Sequence, residues 1–171
     1  MTIALKTLAL TLLASGAVVL PSVASPPPQL IWNASASVPI GLYRVQPAPE
    51  PKVSDIVVVR PPEPLIGFFS EGGYLPRGVP LLKHVAALGG QRVCRVGSAV
   101  SIDGVTVGET LSHDRRGRPL PVWQGCTVLA ADQVFLFNAD RPDSLDGRYF
   151  GPLSRTTIVG RAQPIWTRSG D

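Results

Sequence analysis

Glycine and proline recur along the whole sequence and limit how long any regular element can be. The chain of 171 residues has 17 glycines and 18 prolines, about a fifth of the total. Both residues are unfavourable inside helices, so this distribution favours short strands joined by turns. The apolar, β-branched runs between them are the predicted strands: Val38–Gln46, Asp55–Arg60, Leu81–Leu88, Val93–Val96, Val100–Ile102, Val105–Val107, Val134–Phe137 and Thr157–Ile165. We therefore expect a mostly β chain.

The N-terminal segment does not follow this pattern. Lys6 is followed by fourteen uncharged residues, Thr7 to Leu20, and then by the small-x-small tripeptide Ser22-Val23-Ala24. A basic start, an apolar stretch and such a tripeptide are typical of a secretory signal peptide, and the stretch is also barely long enough for an uncleaved membrane anchor. Residues 1–25 are predicted to be one or the other, which would export residues 26–171; an N-terminal core helix is the third alternative.

Export would put the two cysteines in an oxidising compartment. Cys94 and Cys126 are the only cysteines, so we predict a disulfide between them, which would stabilise the fold by about 3–4 kcal/mol. Two cysteines without a C-x-x-C spacing, with only two histidines, make a poor metal site, and neither a P-loop nor a G-x-G-x-x-G motif is present. The dispersed net charge of +4 does not indicate nucleic-acid binding. We expect no metal, no cofactor and no nucleic-acid partner.

Residues 26–171 are expected to form one β-rich domain. The segment Glu63–Gly78 carries four glycines, two prolines and aromatic side chains with no strand pattern, so we predict a long loop or flap with exposed aromatics. The cluster His113–Arg118 is expected to be a solvated, charged turn. Asp103-Gly104 separates two short apolar runs and predicts a hairpin turn.

Lys83 is the first candidate for chemistry. Neither histidine has a G-x-S-x-G partner, so a Ser-His-Asp triad is poorly supported. Thirteen of the 16 basic residues are arginine, yet Lys83 lies in the apolar run PLLKHV, and His84 beside it should face the other way. Burial lowers the pKa of a lysine, and a neutral amine near pH 7–8 is a general base. The alternative is a lysine that extends to solvent from a strand edge.

Two other segments hold polar groups in turns. Ser37 stands in S-V-P-I-G-L-Y, where a proline and a glycine fix a turn around a hydroxyl that needs an adjacent base to react. The segment N-A-D-R-P-D-S-L-D-G-R-Y-F-G, residues 138–151, contains Asp146 and Arg148, which share a face and can pair if the segment is extended.

Taken in this order, these segments resemble the signal peptidase I superfamily of serine/lysine proteases. Within it they are most similar to the conjugative-transfer peptidases of the TraF type, over about residues 30–166. The match is carried by S-V-P-I-G-L-Y, by the block K-H-V-A-A-L-G-G-Q-R-V and by the loop S-L-D-G-R-Y-F-G-P. General leader peptidases have their serine three residues before the proline, where Ala36 stands here; Ser37 is two before it, as in the conjugative branch.

The resemblance implies a role for each matched residue. Ser37 corresponds to the nucleophile, Lys83 to the general base and Ser144 to the hydroxyl that orients the lysine. Asp146 and Arg148 correspond to the pair that braces the loop, with a catalytic role for the aspartate in the conjugative branch. It also implies a signal-peptidase-like antiparallel β domain after the N-terminal segment.

The function implied is that of an exported, membrane-associated serine endopeptidase. It would work on the periplasmic side of the bacterial inner membrane, either anchored there or released after signal cleavage. Its substrate would be a membrane-tethered precursor such as a conjugative pilin, processed with or without cyclisation. The alternative is a non-catalytic exported β-domain that serves as a structural or adaptor component of a secretion or pilus assembly.

Overall fold

A computed structural model describes residues 3–24 and 29–168, which are mostly β. The strands are β1 (Leu30–Asn33), β2 (Gly41–Gln46), β3 (Ile56–Val59), β4 (Leu81–Leu88), β5 (Arg92–Val96), β6 (Ala99–Ile102), β7 (Val105–Glu109), β8 (Gly125–Val128), β9 (Gln133–Leu136), β10 (Leu153–Ser154) and β11 (Ile158–Thr167). The helices are α1 (Ile3–Ala24), α2 (Glu63–Glu71), α3 (Gly147–Phe150) and a 3₁₀ turn at Arg155–Thr157. The predicted fold class is confirmed.

All the strand pairs are antiparallel, in two sheets. The larger sheet has the order β1-β2-β11-β3-β4-β9-β10, and the smaller has the order β7-β6-β5-β8. The predicted hairpin turn joins β6 to β7, where Asp103 and Gly104 both have positive φ angles. Glycine adopts that conformation without strain.

The larger sheet is covered on both faces. Alternate residues of β3 belong to different core clusters, Val58 to one and Val57 and Val59 to another. A third cluster joins the sheets, because Ala87 of β4 and Phe135 of β9 pack with Val93 of β5 and with Val100 of β6. The strands that carry the candidate residues are therefore held from both sides.

The first predicted strand is shorter in the structure than the sequence indicates. Val38–Gln46 was expected to be a strand throughout, but β2 begins only at Gly41. The residues before it bend around Pro39, which has no N–H to donate to a ladder.

The prediction of a long loop over Glu63–Gly78 is wrong for its first half, which is α2. Pro64 stands at the second helical position, where it costs no hydrogen bond, and Gly72 ends the helix. Phe68 and Phe69 pack edge to face with Phe150, and Phe69 is buried rather than exposed. The role of the remaining segment as a flap stays a prediction.

The predicted disulfide is confirmed. Cys94 and Cys126 face each other in the register of β5 and β8, and their sulfur atoms are bonded. Residues 3–24 of the predicted signal peptide or anchor form α1, while Met1, Thr2 and Ser25 lie outside the described residues. No helix in the described ranges combines the length and apolarity required to cross a membrane.

Candidate active site

Ser37 lies in the seven-residue loop that joins β1 to β2. The loop is fixed to the core by Val38, which is buried against Tyr43 and Val58. The hydroxyl of Tyr43 also donates a hydrogen bond to the carbonyl oxygen of Pro39. Ser37 is half-buried, and its hydroxyl points into the fold rather than into solvent.

Lys83 is a buried residue in the interior of the larger sheet. It lies in β4 between β3 and β9, and only 3% of the residue is exposed. Its Nζ donates hydrogen bonds to Ser37 Oγ at 3.1 Å and to Ser144 Oγ at 2.9 Å. The alternative of a lysine extending to solvent from a strand edge is therefore wrong. The structure brings Ser37, Lys83 and Ser144 together from three separate parts of the chain.

The environment of Lys83 changes its protonation equilibrium. Burial lowers the pKa of Lys83 from 10.5 to about 8, because the charged amine loses the solvation of water. The negative charge of Asp146 acts in the opposite direction and the positive charge of Arg148 in the same one. With a pKa of about 8, a useful fraction of the amine is neutral near pH 7–8.

Ser144 is held by a second donor that the sequence analysis did not single out. Asn138, buried two residues after the strand β9, donates from Nδ2 to Ser144 Oγ at 3.3 Å. Its Oδ1 accepts the backbone N–H of His84, the residue after the lysine, at 3.0 Å. Asn138 thus ties the loop that carries Ser144 to β4. An asparagine directly after an apolar strand is the only sequence signal for it, and most such asparagines lie in turns.

Asp146 and Arg148 form the predicted ion pair, but in a different conformation. Asp146 caps the short helix α3 and accepts Arg148 N and Nε on Oδ1, and Arg148 Nη2 on Oδ2, at 2.8–3.1 Å. Arg148 lies in the helix and not in an extended segment. Gly147 between them allows this, because a Cβ there would lie 2.6 Å from the carbonyl oxygen of Leu136.

The pair braces the whole loop. Asp146 Oδ2 also accepts the backbone N–H of Asn138, and the guanidinium of Arg148 donates to the carbonyl oxygens of Asn138, Pro142 and Glu109. Both side chains are essentially inaccessible. Because these bonds go to the loop and not to Ser37 or Lys83, the geometry assigns Asp146 a bracing role. Its predicted catalytic role stays a prediction, and its charge acts on Lys83 by raising the pKa of the amine.

Two cavities meet at Ser37. The larger, of about 370 Å³, is lined by Ser37, Lys83 and mainly apolar residues, including Trp32, Leu75, Val79, Leu82 and Leu145. The smaller, of about 130 Å³, is lined by Ser37, His84, Asp140 and Arg141. Lys83 and His84 therefore line different cavities, as expected of neighbours in a strand. A peptide could extend across Ser37 from one cavity into the other.

Neither histidine is placed as a partner of Ser37. In the described chain the hydrogen bonds of His84 are made by its backbone, and the ring of His113 contacts Ser112 in the charged turn. Within the described ranges no group of three His, Cys, Asp or Glu side chains is arranged to hold a metal ion.

Comparison with known proteins gives matches over most of the chain. The family model described as signal peptidase, peptidase S26, matches residues 2–167. A probable conjugal transfer protein TraF of Sinorhizobium fredii is 36% identical over 145 residues, covering 79% of this chain and 76% of the relative. The TraF proteins of Agrobacterium fabrum and Escherichia coli are 36% and 32% identical, and the alignments cover 79% of this chain and 81% of each relative.

A solved structure is also similar. The signal peptidase I of Enterococcus faecalis aligns with 66% of this chain and 96% of its own, at 20% identity and a TM-score of 0.39.

Proposed function

The chain belongs to the peptidase S26 family of signal peptidases, and on this premise we propose that it is an exported, membrane-associated serine endopeptidase with a Ser37/Lys83 dyad. The observation that carries the proposal is the hydrogen bond of 3.1 Å between Lys83 Nζ and Ser37 Oγ. A hydroxyl and a desolvated amine at this distance can exchange a proton directly.

The reaction begins with neutral Lys83. Its lone pair takes the proton of Ser37 as Oγ attacks the scissile carbonyl carbon, so the amine becomes an ammonium and the carbonyl oxygen an oxyanion. The backbone N–H of Ser37 takes no partner among the described residues and is available to donate to that oxyanion. The ammonium then gives its proton to the leaving amine. This releases one peptide fragment and leaves the other as an ester on Ser37.

The ester is resolved by a second nucleophile. Lys83, neutral again, takes a proton from a water molecule, whose oxygen attacks the ester carbon and hydrolyses the acyl-enzyme. A substrate amine that attacks in place of water would form a new peptide bond and a cyclic product. In either case the ammonium of Lys83 returns the proton to Ser37 Oγ as the ester bond breaks. During both steps Ser144 keeps the amine in place, and the negative charge of Asp146 favours the transient ammonium. This is the direct contribution that we propose for Asp146.

The substrate is proposed to be a membrane-tethered precursor of a conjugative pilus. Relatives at 32–36% identity are conjugal or plasmid transfer proteins. Trp32 and Trp166 stack at 5.8 Å and are both more than half exposed, and Trp32 comes eight residues after Ala24, the last residue of α1. Exposed tryptophans of this kind are typical of a membrane interface. We therefore propose that the peptidase works at the periplasmic face of the inner membrane.

Co-expression with a conjugative pilin precursor tests the proposal. Intact-mass measurement of the pilin is compared between wild type, Ser37→Ala and Ser101→Ala, a matched serine in β6 of the smaller sheet. We expect processing with wild type and Ser101→Ala and none with Ser37→Ala. A processed pilin lighter by one further water molecule would indicate cyclisation. Equal processing with Ser37→Ala would instead support a non-catalytic structural or adaptor role.

A further inference from the structure

Besides the contacts of Val38 and Tyr43 with the core, the loop that presents Ser37 is held from within by side-chain hydrogen bonds. Residues 34–40 are longer than most hairpin loops, and in the described structure no backbone hydrogen bond of standard geometry joins two residues of this loop. Backbone groups near a buried site need partners, so something else must supply them.

Asn33 supplies them. It is the last residue of β1, paired with Gly41 at the base of the loop, and only 6% of it is exposed. Its Nδ2 donates to the carbonyl oxygens of Ser35 at 2.8 Å, Val38 at 3.0 Å and Pro39 at 3.1 Å. Its Oδ1 accepts the backbone N–H of Ser35 at 3.1 Å and the hydroxyl of Ser35 at 2.9 Å.

These contacts enclose the nucleophile on both sides. The donor end of the amide holds the chain before Ser37 and after it, and the acceptor end holds Ser35 alone. The N–H of Ser37, between these anchored residues, has no partner among the described residues. The strands β1 and β2 are joined by their own ladder and do not require the amide.

We infer that Asn33 is a positioning residue that sets the place of the Ser37 hydroxyl and of its backbone N–H relative to Lys83. The inference rests on the proposed peptidase function. Asn33 acts through the backbone of the loop and does not touch the reacting atoms, so its loss should reduce turnover while leaving Lys83 as it is. A shift of about 1 Å in a nucleophile lowers the rate by about 100-fold.

The sequence contains a signal for this residue that is easily missed. An asparagine four residues before the serine ends a short apolar run, Leu30–Trp32, and such an asparagine predicts only a turn. The structure adds that both polar atoms of the amide are used inside the loop.

The test uses Asn33→Asp and Asn33→Ala in the full-length protein. Aspartate has nearly the same shape but places acceptors against three carbonyl oxygens, and alanine removes all the contacts. The matched control is Gln91→Ala, because Gln91 braces the turn after β4 in the same way, accepting the N–H of Leu88, far along the strand from Lys83. The probe is a purified pilin precursor that wild type processes.

We expect kcat to fall about 100-fold in both Asn33 variants with KM changed by less than threefold, and the midpoint of the pH–rate profile to stay where wild type has it. Amide hydrogen exchange should rise at Ser35, whose backbone N–H is accepted by Asn33, and not in β4. Gln91→Ala should keep the wild-type kcat at a comparable melting temperature. An Asn33 variant with kcat within threefold of wild type, or with unchanged exchange at Ser35, would overturn the inference.

The same experiment separates this inference from the proposed function. If wild type is active, Ser37→Ala is inactive and the Asn33 variants stay active, only the positioning role fails. If Ser37→Ala remains active, the proposed function fails, and the hydrogen exchange of the Ser35 amide still decides whether Asn33 holds the loop.

Discussion

At the scale of single residues, burial makes Lys83 reactive and also makes it unfavourable for folding. The pKa of Lys83 is about 8 in the folded protein, against about 10.5 when the side chain is exposed. The unfolded chain therefore binds more protons between these two values, so stability should increase with pH through this window. Below pH 8 the full penalty applies, and above pH 10.5 it is absent.

We predict that Lys83→Met is more stable than wild type at pH 6, by about 3 kcal/mol, because methionine fills the space without a buried charge. The difference should shrink as the pH rises above 8 and should vanish near pH 10.5. Urea unfolding of both proteins at several pH values measures it. A difference that does not change with pH would mean that Lys83 is not desolvated as described.

The sequence indicates Ser37 and Lys83 but not the residues that hold them. A lysine in an apolar run and a serine in a proline turn differ from their surroundings, so they attract notice. Asn33 and Asn138 are ordinary turn residues in the sequence, and their function depends on which backbone groups the fold brings within reach. Asp146 and Arg148 were paired correctly, although the short helix that pairs them follows from a close contact with β9.

At the scale of elements, the smaller sheet is closed by the disulfide. Cys94 and Cys126 lie 32 residues apart in sequence and join β5 to β8, whose described residues are all exposed. We predict that replacing both cysteines by alanine lowers the free energy of unfolding by about 3 kcal/mol. The midpoint of the pH–rate profile should not move, because the bridge does not touch the dyad. Denaturant unfolding under non-reducing conditions checks the first point, and an unchanged unfolding free energy would contradict it.

The charged turn at 113–118 fastens one wall of the larger cavity. The carboxylate of Asp114 accepts a hydrogen bond from the hydroxyl of Tyr74 and another from Arg118. The guanidinium of Arg118 also stacks on the ring of Tyr74. These hydrogen bonds hold the pKa of Asp114 well below its usual range, with the Tyr74 hydroxyl the largest cause. The turn was expected to be merely solvated, and that expectation is wrong for Asp114 and Arg118.

We predict that Arg118→Ala raises KM several-fold while kcat changes little, since Tyr74 lines the larger cavity but does not contact the dyad. The exposed Arg92 of β5 offers the matched control, Arg92→Ala, which should have wild-type kinetics. Steady-state kinetics with a precursor peptide measures both variants. A fall in kcat with constant KM would place the effect on the dyad instead.

Most elements could be predicted from β-branched runs between glycines and prolines, and β4 was predicted at its observed bounds. The helix α2 could not, because Pro64 and Gly67 within it obscure an apolar face that packs against Phe150. The strand β8 is exposed along its length and owes its place to pairing with β5, which a local pattern does not contain.

At the scale of the whole molecule, the two cavities that meet at Ser37, together called the cleft, are lined in part by residues that closely follow the N-terminal segment in sequence. Only a few residues separate α1 from β1, and Trp32 of β1 also lines the larger cavity. Anchoring by the N-terminal segment was predicted from sequence and would hold the cleft near the membrane. Under the proposed function, this order of the chain would favour substrates that are themselves tethered to the membrane.

We predict that a flexible insert of about twenty residues after Pro28 markedly lowers processing of a membrane-tethered precursor, because it lets the cleft move some tens of ångströms from the bilayer. Cleavage of a soluble peptide from the same site should not change. Processing in cells and peptide cleavage in solution give the two values. Equal processing of the tethered precursor by both lengths would remove support for a role of proximity.

The central claim is that neutral Lys83 is the base that activates Ser37. The most direct measurement is the pH dependence of kcat/KM for peptide cleavage by wild type, with Lys83→Arg as control. We predict that kcat/KM rises tenfold per pH unit, levels off near pH 8, and is absent in Lys83→Arg, whose guanidinium stays charged. A midpoint near 6.5, the usual pKa of a histidine, or measurable turnover by Lys83→Arg would contradict the claim.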